Sequence, residues 1–334
     1  DEFYMRKCLE LAAQGYPLAL PNPMVGCVIV LDGNIIGQGY HKQFGQDHAE
    51  VNAINSVKDK SKLKQATLYV NLEPCAHFGK TPPCADLIVE NKLKRVVIGA
   101  LDSFSEVNGK GIDKIKQAGI EVKVNILQDD CKSLNRRFYT FHKDKRPYVI
   151  LKWAQSSDGF IAPKDQESPF WMTCVESKNL VHQWRAAETG ILIGKNTAIK
   201  DNPLLTSRVP ELRNPIRFVI DKSSSLPKKL NVFNDEAISY TLCQKKSNKY
   251  DLEVNFDNFI ISLMEQLHKL EIHSIIIEGG TTTLQQFINS NCWDEARVFQ
   301  SDILLKDGVM SPVFNQEPAL TEMIGIDTLS YFFN

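Results

Sequence analysis

Three residues able to hold a metal and one able to move a proton stand at telling intervals: His48-Ala49-Glu50, then Pro74-Cys75, then Pro83-Cys84. One imidazole and two thiolates give zinc three protein ligands, and a catalytic zinc keeps its fourth position for water. Cys84 opens a segment expected to be helical, where the positive end of the dipole favours the thiolate form. Glu50 follows His48 closely enough to take a proton from a water and hand it to a leaving amine, which is the acid–base work of hydrolytic deamination. The rival reading is a closed structural zinc, for which His77 is the nearest fourth ligand. The other six cysteines are expected to be reduced, core-packed thiols.

A second group lies further along. Ile275-Ile276-Ile277 reads as a strand running into Glu278, Gly279 and Gly280, then into the hydroxyl-rich start Thr281-Thr282-Thr283. Glycines let a backbone approach a phosphate, and free amides at a helix N-terminus bind it. The plain alternative is an ordinary strand-to-helix turn. No G-x-G-x-x-G is present, because Gly109-Lys110-Gly111 lacks the third glycine, so a standard Rossmann dinucleotide site is not supported.

The elements that must position these groups follow from periodicity. Phe3, Met5, Cys8, Leu9 and Ala12 mark an opening amphipathic helix, and Val25 to Leu31 with Ile35 to Tyr40 flank Asp32-Gly33, a hairpin signal. His48 to Val57 reads as a helix, as do segments near Cys84 to Asn91 and Ile112 to Ala118. Thr67 to Leu72, Arg95 to Ala100 and Ile120 to Val124 read as strands, so the first part is one sheet with helical crossovers. The run HKDKRP at His142 to Pro147 marks a boundary, dividing the chain into domains 1–143 and 144–334. Beyond it, Tyr148 to Trp153, Gly190 to Gly194, Ile216 to Ile220 and Ser274 to Ile277 are expected strands, and Val175 to Ala187 a helix. Phe256, Phe259, Ile260, Leu263, Met264, Leu267 and Leu270 fall at helical spacing. Residues 221–255 carry no clear pattern.

Composition sets the outer limits. A chain of 334 residues suits two domains at roughly 150 residues each. Lys and Arg number 39 against 40 Asp and Glu, so the net charge of −1 draws the protein neither to nucleic acid nor to anionic lipid. Leu11 to Leu31 is free of charge, yet Pro17, Pro21 and Pro23 forbid a continuous spanning helix. Asp1 and Glu2 lack the basic start of a secretory signal, and scattered cysteines do not make a disulfide framework, so a trimmed, cytoplasmic protein is expected. The oligomeric state stays open, a homo-oligomer being compatible with all of this.

The H-x-E followed by P-C resembles the zinc-dependent cytidine-deaminase-like family, but eight residues rather than two separate Cys75 from Cys84. That longer form, EPCAHFGKTPPC at Glu73 to Cys84, together with PNPMVG at Pro21 to Gly26 and HAEVNAI from His48, resembles the bifunctional riboflavin-biosynthesis deaminase/reductases. LKWAQSSDG from Leu151, ESPFWMT from Glu167, QWRAA from Gln183 and DNPLLT from Asp201 resemble the reductase half of that family, with Ser157 and Phe160 departing from its pattern.

The resemblance implies an α/β protein: a cytidine-deaminase-like α/β/α domain followed by a dihydrofolate-reductase-like α/β domain. It also implies zinc-dependent hydrolytic deamination of a diaminopyrimidinone ribosyl phosphate, a small-molecule substrate, and then NADPH-dependent reduction of the ribosyl side chain. By the same token His48, Cys75 and Cys84 would bind zinc, Glu50 would shuttle the proton, and Asn22, His41, His77 and Lys80 would contact substrate. Ala154, Trp171, Thr197, Asp201 and the turn Gly280, Thr281, Thr282, Thr283, Leu284 would line NADPH. Ser168, Arg185, Leu205, Arg208 and Glu278 would face the substrate, and Lys152 and Glu278 are the expected proton-transfer pair. A nucleic-acid-editing deaminase, a binding module with a structural zinc, and a chain with one active half remain the competing readings.

Overall fold

The structure is a computed structural model and describes residues 1–76, 82–102, 109–165 and 170–334. The chain divides into two compact units, Asp1–Asp144 and Lys145–Asn334. In chain order the first contains α1 (Glu2–Ala13), β1 (Gly26–Leu31), β2 (Asn34–Tyr40), α2 (Ala49–Ser56), β3 (Thr67–Leu72), α3 (Cys84–Glu90) and β4 (Arg95–Ala100). It continues with α4 (Lys110–Gln117), β5 (Glu121–Lys123), α5 (Gln128–Leu134) and α6 (Arg136–Asp144).

Its five strands lie in the order β2-β1-β3-β4-β5, with β3, β4 and β5 parallel and β1 antiparallel to both its neighbours. Asp32 (φ 49°) and Gly33 (φ 77°) both adopt the left-handed conformation that a two-residue hairpin between right-twisted strands demands. Alternation decides the layers. Cys27, Ile29, Leu68, Val70, Val96 and Ile98 face one apolar cluster with α2, α3 and α4. Val28, Val30, Tyr69, Val97 and Ala100 face another with α1 and Cys131 of α5. Covering both faces explains why these strands read as near-continuous apolar runs.

The second unit opens with β6 (Tyr148–Gln155), β7 (Phe160–Ala162), α7 (Val175–Ala187), β8 (Gly190–Gly194), α8 (Lys195–Asp201) and β9 (Ile216–Ile220). It goes on through β10 (Ser239–Cys243), β11 (Asp251–Glu253), α9 (Phe259–Lys269), β12 (Ser274–Ile277), α10 (Thr281–Asn289) and β13 (Glu295–Gln300). Then come β14 (Val309–Met310), β15 (Leu320–Ile324) and β16 (Asp327–Phe333). Nine of its strands form one sheet ordered β11-β10-β9-β8-β12-β6-β13-β16-β15, parallel from β11 to β13 and antiparallel thereafter, while β7 and β14 pair separately. The chain steps outward from β8 to β11 and then returns to insert β12 between β8 and β6. Such a reversal opens a crevice beyond the carboxyl ends of parallel strands.

Three differences from the sequence reading have physical reasons. The helix expected from Phe256 begins at Phe259: Asn258, at the N-cap position, has a non-helical backbone, and Phe256 stacks on the Phe259 ring at 5.4 Å from outside the helix. The unreadable stretch 221–255 holds the short strands β10 and β11 at the sheet's edge. Strand β13 escaped notice because it carries Glu295 and Arg297, both buried: Arg297 Nε donates to Glu295 Oε1 at 2.7 Å, and its guanidinium lies 4.5 Å from the centre of the Trp184 ring.

The loop before β1 is held by close packing. A Cβ at Gly26 would lie 2.0 Å from the Cys8 carbonyl oxygen and 2.7 Å from the Ala12 nitrogen, both backbone atoms of α1. Gly26→Ala is therefore expected to lower stability by about 1–3 kcal/mol through overpacking. Chemical denaturation of the two proteins checks this; a change within about 0.5 kcal/mol, the range of a surface substitution, would show that α1 yields freely.

Candidate active sites

In the first unit the ligand set is assembled from three chain segments. His48 is the N-cap of α2 and Glu50 lies in its first turn, Cys75 follows β3, and Cys84 is the first residue of α3. His48 Nδ1 lies 3.6 Å from Cys75 Sγ and 3.3 Å from Cys84 Sγ, and the three ligand atoms all fall within 4.8 Å of one another. A tetrahedral zinc with ordinary Zn–N and Zn–S lengths separates such a nitrogen and sulfur by about 3.6 Å, so the residues present fit zinc.

The donor set favours a cation. The Cys84 backbone N–H donates to Cys75 Sγ at 3.3 Å. Hydrogen bonding from Cys84 and from His48 outweighs burial and pulls the Cys75 thiol down to about 4, while the Cys75 sulfur lifts His48 to about 9. Glu50 is buried beside them, and burial pushes its carboxyl up to about 7; a divalent cation works in the opposite sense.

Two polar frames hold this site, and the sequence reading assigned neither. Glu73, buried two residues before Cys75, accepts from the backbone N–H groups of Asp102, Gly109, Gly111 and Ile112 at 3.1–3.4 Å. An acid directly ahead of Pro-Cys was its only signal in the sequence. Asn71 and Asn135 grip Met24 next to the Asn22 loop. Met24 N–H donates to Asn135 Oδ1 at 2.7 Å, and its carbonyl accepts from Asn71 Nδ2 at 3.0 Å and Asn135 Nδ2 at 2.9 Å.

Asn22 and His41, expected at the substrate, do meet, with Asn22 Nδ2 3.2 Å from His41 Nε2. His41 Nδ1 faces the Asp47 carbonyl at 3.0 Å, which can only accept, and burial holds the imidazole below its usual range. The ring is thus neutral with its proton on Nδ1, so Nε2 accepts from the Asn22 amide. That leaves Asn22 Oδ1, which meets no donor among the described residues, as the end of the amide that accepts a hydrogen bond. His77 and Lys80 lie outside the described residues, as does Ser168.

In the second unit Lys152, Arg185 and Glu278 come together, and Thr197 meets the Gly280 turn, at the carboxyl ends of β6, β8 and β12. Register sets Ile277 opposite Leu151 on one side and Leu192 on the other, which brings Glu278 beside Lys152. Arg185 of α7 grips Glu278 with both edges of its fork, Nη2 to Oε2 at 2.7 Å and Nε to Oε1 at 3.2 Å. Burial would raise the Glu278 carboxyl, but the charges of Arg185 and then Lys152 prevail and hold it at about 2. Burial lowers the Lys152 ammonium, with Glu278 opposing the shift.

The turn after β12 is a cradle. A Cβ on Gly279 would strike Thr283 Cβ at 2.6 Å, one on Gly194 would lie 2.8 Å from Thr283 Oγ1, and Gly280 faces Thr197 Oγ1. Gly280 caps the nine-residue helix α10, so the Thr281 and Thr282 amides have no intrahelical acceptor. These features fit the diphosphate of a dinucleotide. Leu284 is wholly buried and its N–H bonds the Gly280 carbonyl at 3.2 Å, so it shapes the turn. Leu205 is buried with φ 58°, Arg208 and Trp171 are exposed, Ala154 is the penultimate residue of β6, and Asp201 is the last residue of α8.

The comparisons with known proteins agree with this geometry. Residues 1–100 match the family model of the cytidine and deoxycytidylate deaminase zinc-binding region, and residues 147–328 match the RibD C-terminal domain. The riboflavin biosynthesis protein RibD of Aquifex aeolicus (strain VF5) is 38% identical over 92% of this chain and 89% of its own length. That of Escherichia coli (strain K12) is 35% identical over 91% and 88%. Among solved structures, RibD of Acinetobacter baumannii (form 1) superposes with a TM-score of 0.89 at 30% identity, covering 99% of this chain and 98% of that one. A diaminohydroxyphosphoribosylaminopyrimidine deaminase/5-amino-6-(5-phosphoribosylamino)uracil reductase from Thermotoga maritima gives 0.87 at 34% identity, covering 99% and 97%. With a zinc-type ligand set in one unit, a dinucleotide cradle in the other and relatives matched over nearly their whole length, this chain belongs to the RibD family of riboflavin biosynthesis, the bifunctional deaminase and reductase.

Proposed function

We propose that residues 1–143 deaminate the diaminopyrimidinone ribosyl phosphate and that residues 144–334 then reduce its ribosyl side chain to ribityl, in the cytoplasm, where the eight cysteines, none of them in a disulfide, stay reduced. The observation that carries the reading is the meeting of His48, Cys75 and Cys84 beside buried Glu50. Zinc, when bound, supplies the Lewis acidity that makes a water nucleophilic near neutral pH. Glu50 takes the proton from that water and returns it to the departing amine, so ammonia leaves and a carbonyl remains. Asn22 Oδ1 accepts from the pyrimidine edge, its orientation fixed by His41.

In the second unit NADPH, when bound, supplies the hydride. Lys152 gives its proton to the ring oxygen of the ribose, opening the ring to the imine-level carbon that the hydride reduces. Glu278, which the Arg185 and Lys152 charges hold at about 2, enters the reaction as a carboxylate. It steadies the Lys152 ammonium and accepts from a sugar hydroxyl. Arg185, committed on two nitrogens to Glu278, aims that carboxylate, and exposed Arg208 is the freer cation for the phosphate.

The decisive experiment follows ammonia and the nicotinamide absorbance separately on zinc-loaded protein given the diaminopyrimidinone ribosyl phosphate and NADPH; neither signal from folded protein would overturn the reading. Glu50→Gln should keep zinc and lose ammonia release by about two to four orders of magnitude, with NADPH oxidation on already deaminated substrate unchanged. Chelation should end ammonia release and spare that same oxidation, a split that a zinc needed for the whole fold would not produce.

Lys152→Met should slow NADPH oxidation by about two to four orders of magnitude and leave ammonia release intact. Because Lys152 must be protonated to act, the wild-type oxidation rate should fall as pH rises through its value, below the ordinary lysine range of about 10.4. Arg185→Leu frees Glu278 to protonate, so an acid limb absent from the wild type should rise towards the ordinary carboxylate range of about 4. A pH–rate profile that keeps its shape in this variant would remove Arg185 from control of Glu278.

A further inference from the structure

We propose that His182 and Asn214 are positioning residues for Arg208: they hold the loop between α8 and β9 so that Arg208 is aimed at the substrate phosphate before substrate arrives. This rests on the reductase reading, in which Arg208 meets that phosphate, and adds the residues that place it. The loop leaves α8 and turns inward. Leu205, Thr206 and Ser207 are all buried, and Arg208 is the first residue after them to return to solvent. Leu205 (φ 58°) and Arg208 (φ 53°) both take the left-handed backbone, although neither is glycine. L-residues resist that conformation, and two of them so close together persist only where surrounding contacts over-determine the path.

Side chains from outside that stretch supply those contacts, each on a different residue. Arg217 of β9 is wholly buried and donates to the Leu204 carbonyl at 3.1 Å. Its other acceptors include Asn234 Oδ1 at 2.8 Å and the Asn234 carbonyl at 2.6 Å, in the connection between β9 and β10, so one guanidinium ties two loops together. His182, on α7 one turn before Arg185, faces the Thr206 carbonyl with Nδ1 at 3.2 Å. Burial and then the Arg185 charge hold its imidazole below the usual range, so the ring is neutral with its proton on Nδ1, the tautomer that can donate to a carbonyl. Asn214 fixes the next residue. Its Oδ1 accepts from the Ser207 N–H at 2.9 Å and from the Ser207 hydroxyl at 3.1 Å, and its Nδ2 donates to the Glu236 carbonyl at 3.0 Å.

Arg208 is thus the outer end of a segment anchored at Leu204, Thr206 and Ser207. Arg185 Nη1 reaches the Thr206 carbonyl as well, at 3.5 Å, so the side chain that aims Glu278 and the loop that bears Arg208 meet at one atom. Preorganisation of this kind acts on binding, because the freedom of the loop is lost on folding rather than when the phosphate arrives. The hydride step is left alone, since Lys152 and Glu278 are placed by β6 and β12 instead.

The test is steady-state NADPH oxidation by the full-length, zinc-loaded protein on the deaminated ribosyl phosphate, with the NADPH dissociation constant measured alongside. Arg208→Ala should raise KM by about tenfold or more, the worth of a charge-assisted hydrogen bond. His182→Leu should raise KM by about five- to tenfold while kcat stays within about twofold and NADPH binding is unmoved. His182→Asn, which keeps a donor near the Nδ1 position, should restore much of the loss. Asn214→Leu provides the second, independent variant and should show the same split. The deciding measurement is the double-mutant cycle: in an Arg208→Ala background neither change should raise KM further. Full additivity with Arg208→Ala, an unchanged KM in Arg208→Ala or in both loop variants, or equal losses in KM, kcat and NADPH affinity overturns the proposal, while NADPH oxidation by the wild type upholds the reductase reading. A wild type that does not oxidise NADPH on this substrate overturns both.

Discussion

Parallel pairing forces every segment that leaves a strand to emerge at the same edge of the sheet, and the chemistry of both units depends on that constraint. Cys75 follows β3 in the first unit. In the second, Lys152 and Ala154 lie towards the end of β6, Gly194 ends β8, and Glu278 follows β12. A helix that starts immediately after a strand carries its unsatisfied N–H groups to that same edge. In the second unit this happens at Gly194 before α8 and at Gly280 before α10. In the first unit the starts of α2 and α3 bring His48 and Cys84 to Cys75.

Convergence of this kind gathers groups that repel one another or resist burial, so each unit spends polar contacts on holding them. Around the sulfurs the charge is offset by the Cys84 N–H and the His48 imidazole, and the loop itself is pinned by four N–H groups on Glu73. A buried carboxylate is tolerable on those terms because it is fully hydrogen-bonded. In the second unit the same problem is solved with opposite charge: Arg185 and Lys152 surround Glu278 and keep it ionised, while burial lowers the Lys152 ammonium against the pull of Glu278. Opposed environments around two titratable groups separate donor from carboxylate.

The sequence made one class of feature legible and hid another. Strands such as Thr67–Leu72 and Ser274–Ile277 could be read because their apolar runs are short and bounded, and the His48, Glu50, Cys75 and Cys84 spacing could be read because zinc chemistry admits few residue types. Hidden were elements whose burial is purchased by pairing rather than by apolar side chains. Strand β13 holds a buried Glu295–Arg297 pair, and α6 carries the polar run at His142 to Asp144 that looked like a linker. Asn71, Asn135 and Glu73 were invisible as positioning residues for a related reason: a buried amide or acid has the same letter as a solvated one, and only the backbone groups it meets in three dimensions reveal its work.

Ser157 and Phe160, the two departures from the family pattern, show how the surrounding segment absorbs change. Ser157 uses its N–H and its hydroxyl on one acceptor, the Ile303 carbonyl, at 2.9 and 3.0 Å, and the first of those bonds is available to any residue but proline. Phe160 exchanges its backbone with Ser156, donating to Oγ at 3.0 Å and accepting from N–H at 2.8 Å, and begins a strand that pairs with β14. Between them Asp158 accepts from the Leu305 and Lys306 amides, and Gly159 takes a φ of 86° that suits glycine. The geometry of this turn is therefore carried by Ser156, Asp158 and Gly159, which match the pattern, and the two departing side chains sit where main-chain bonds do the holding. Lys152 and Ala154 lie upstream on β6, where register sets them opposite Arg297 and Phe299 of β13, so that pairing rather than the side chains at 157 and 160 holds their backbone.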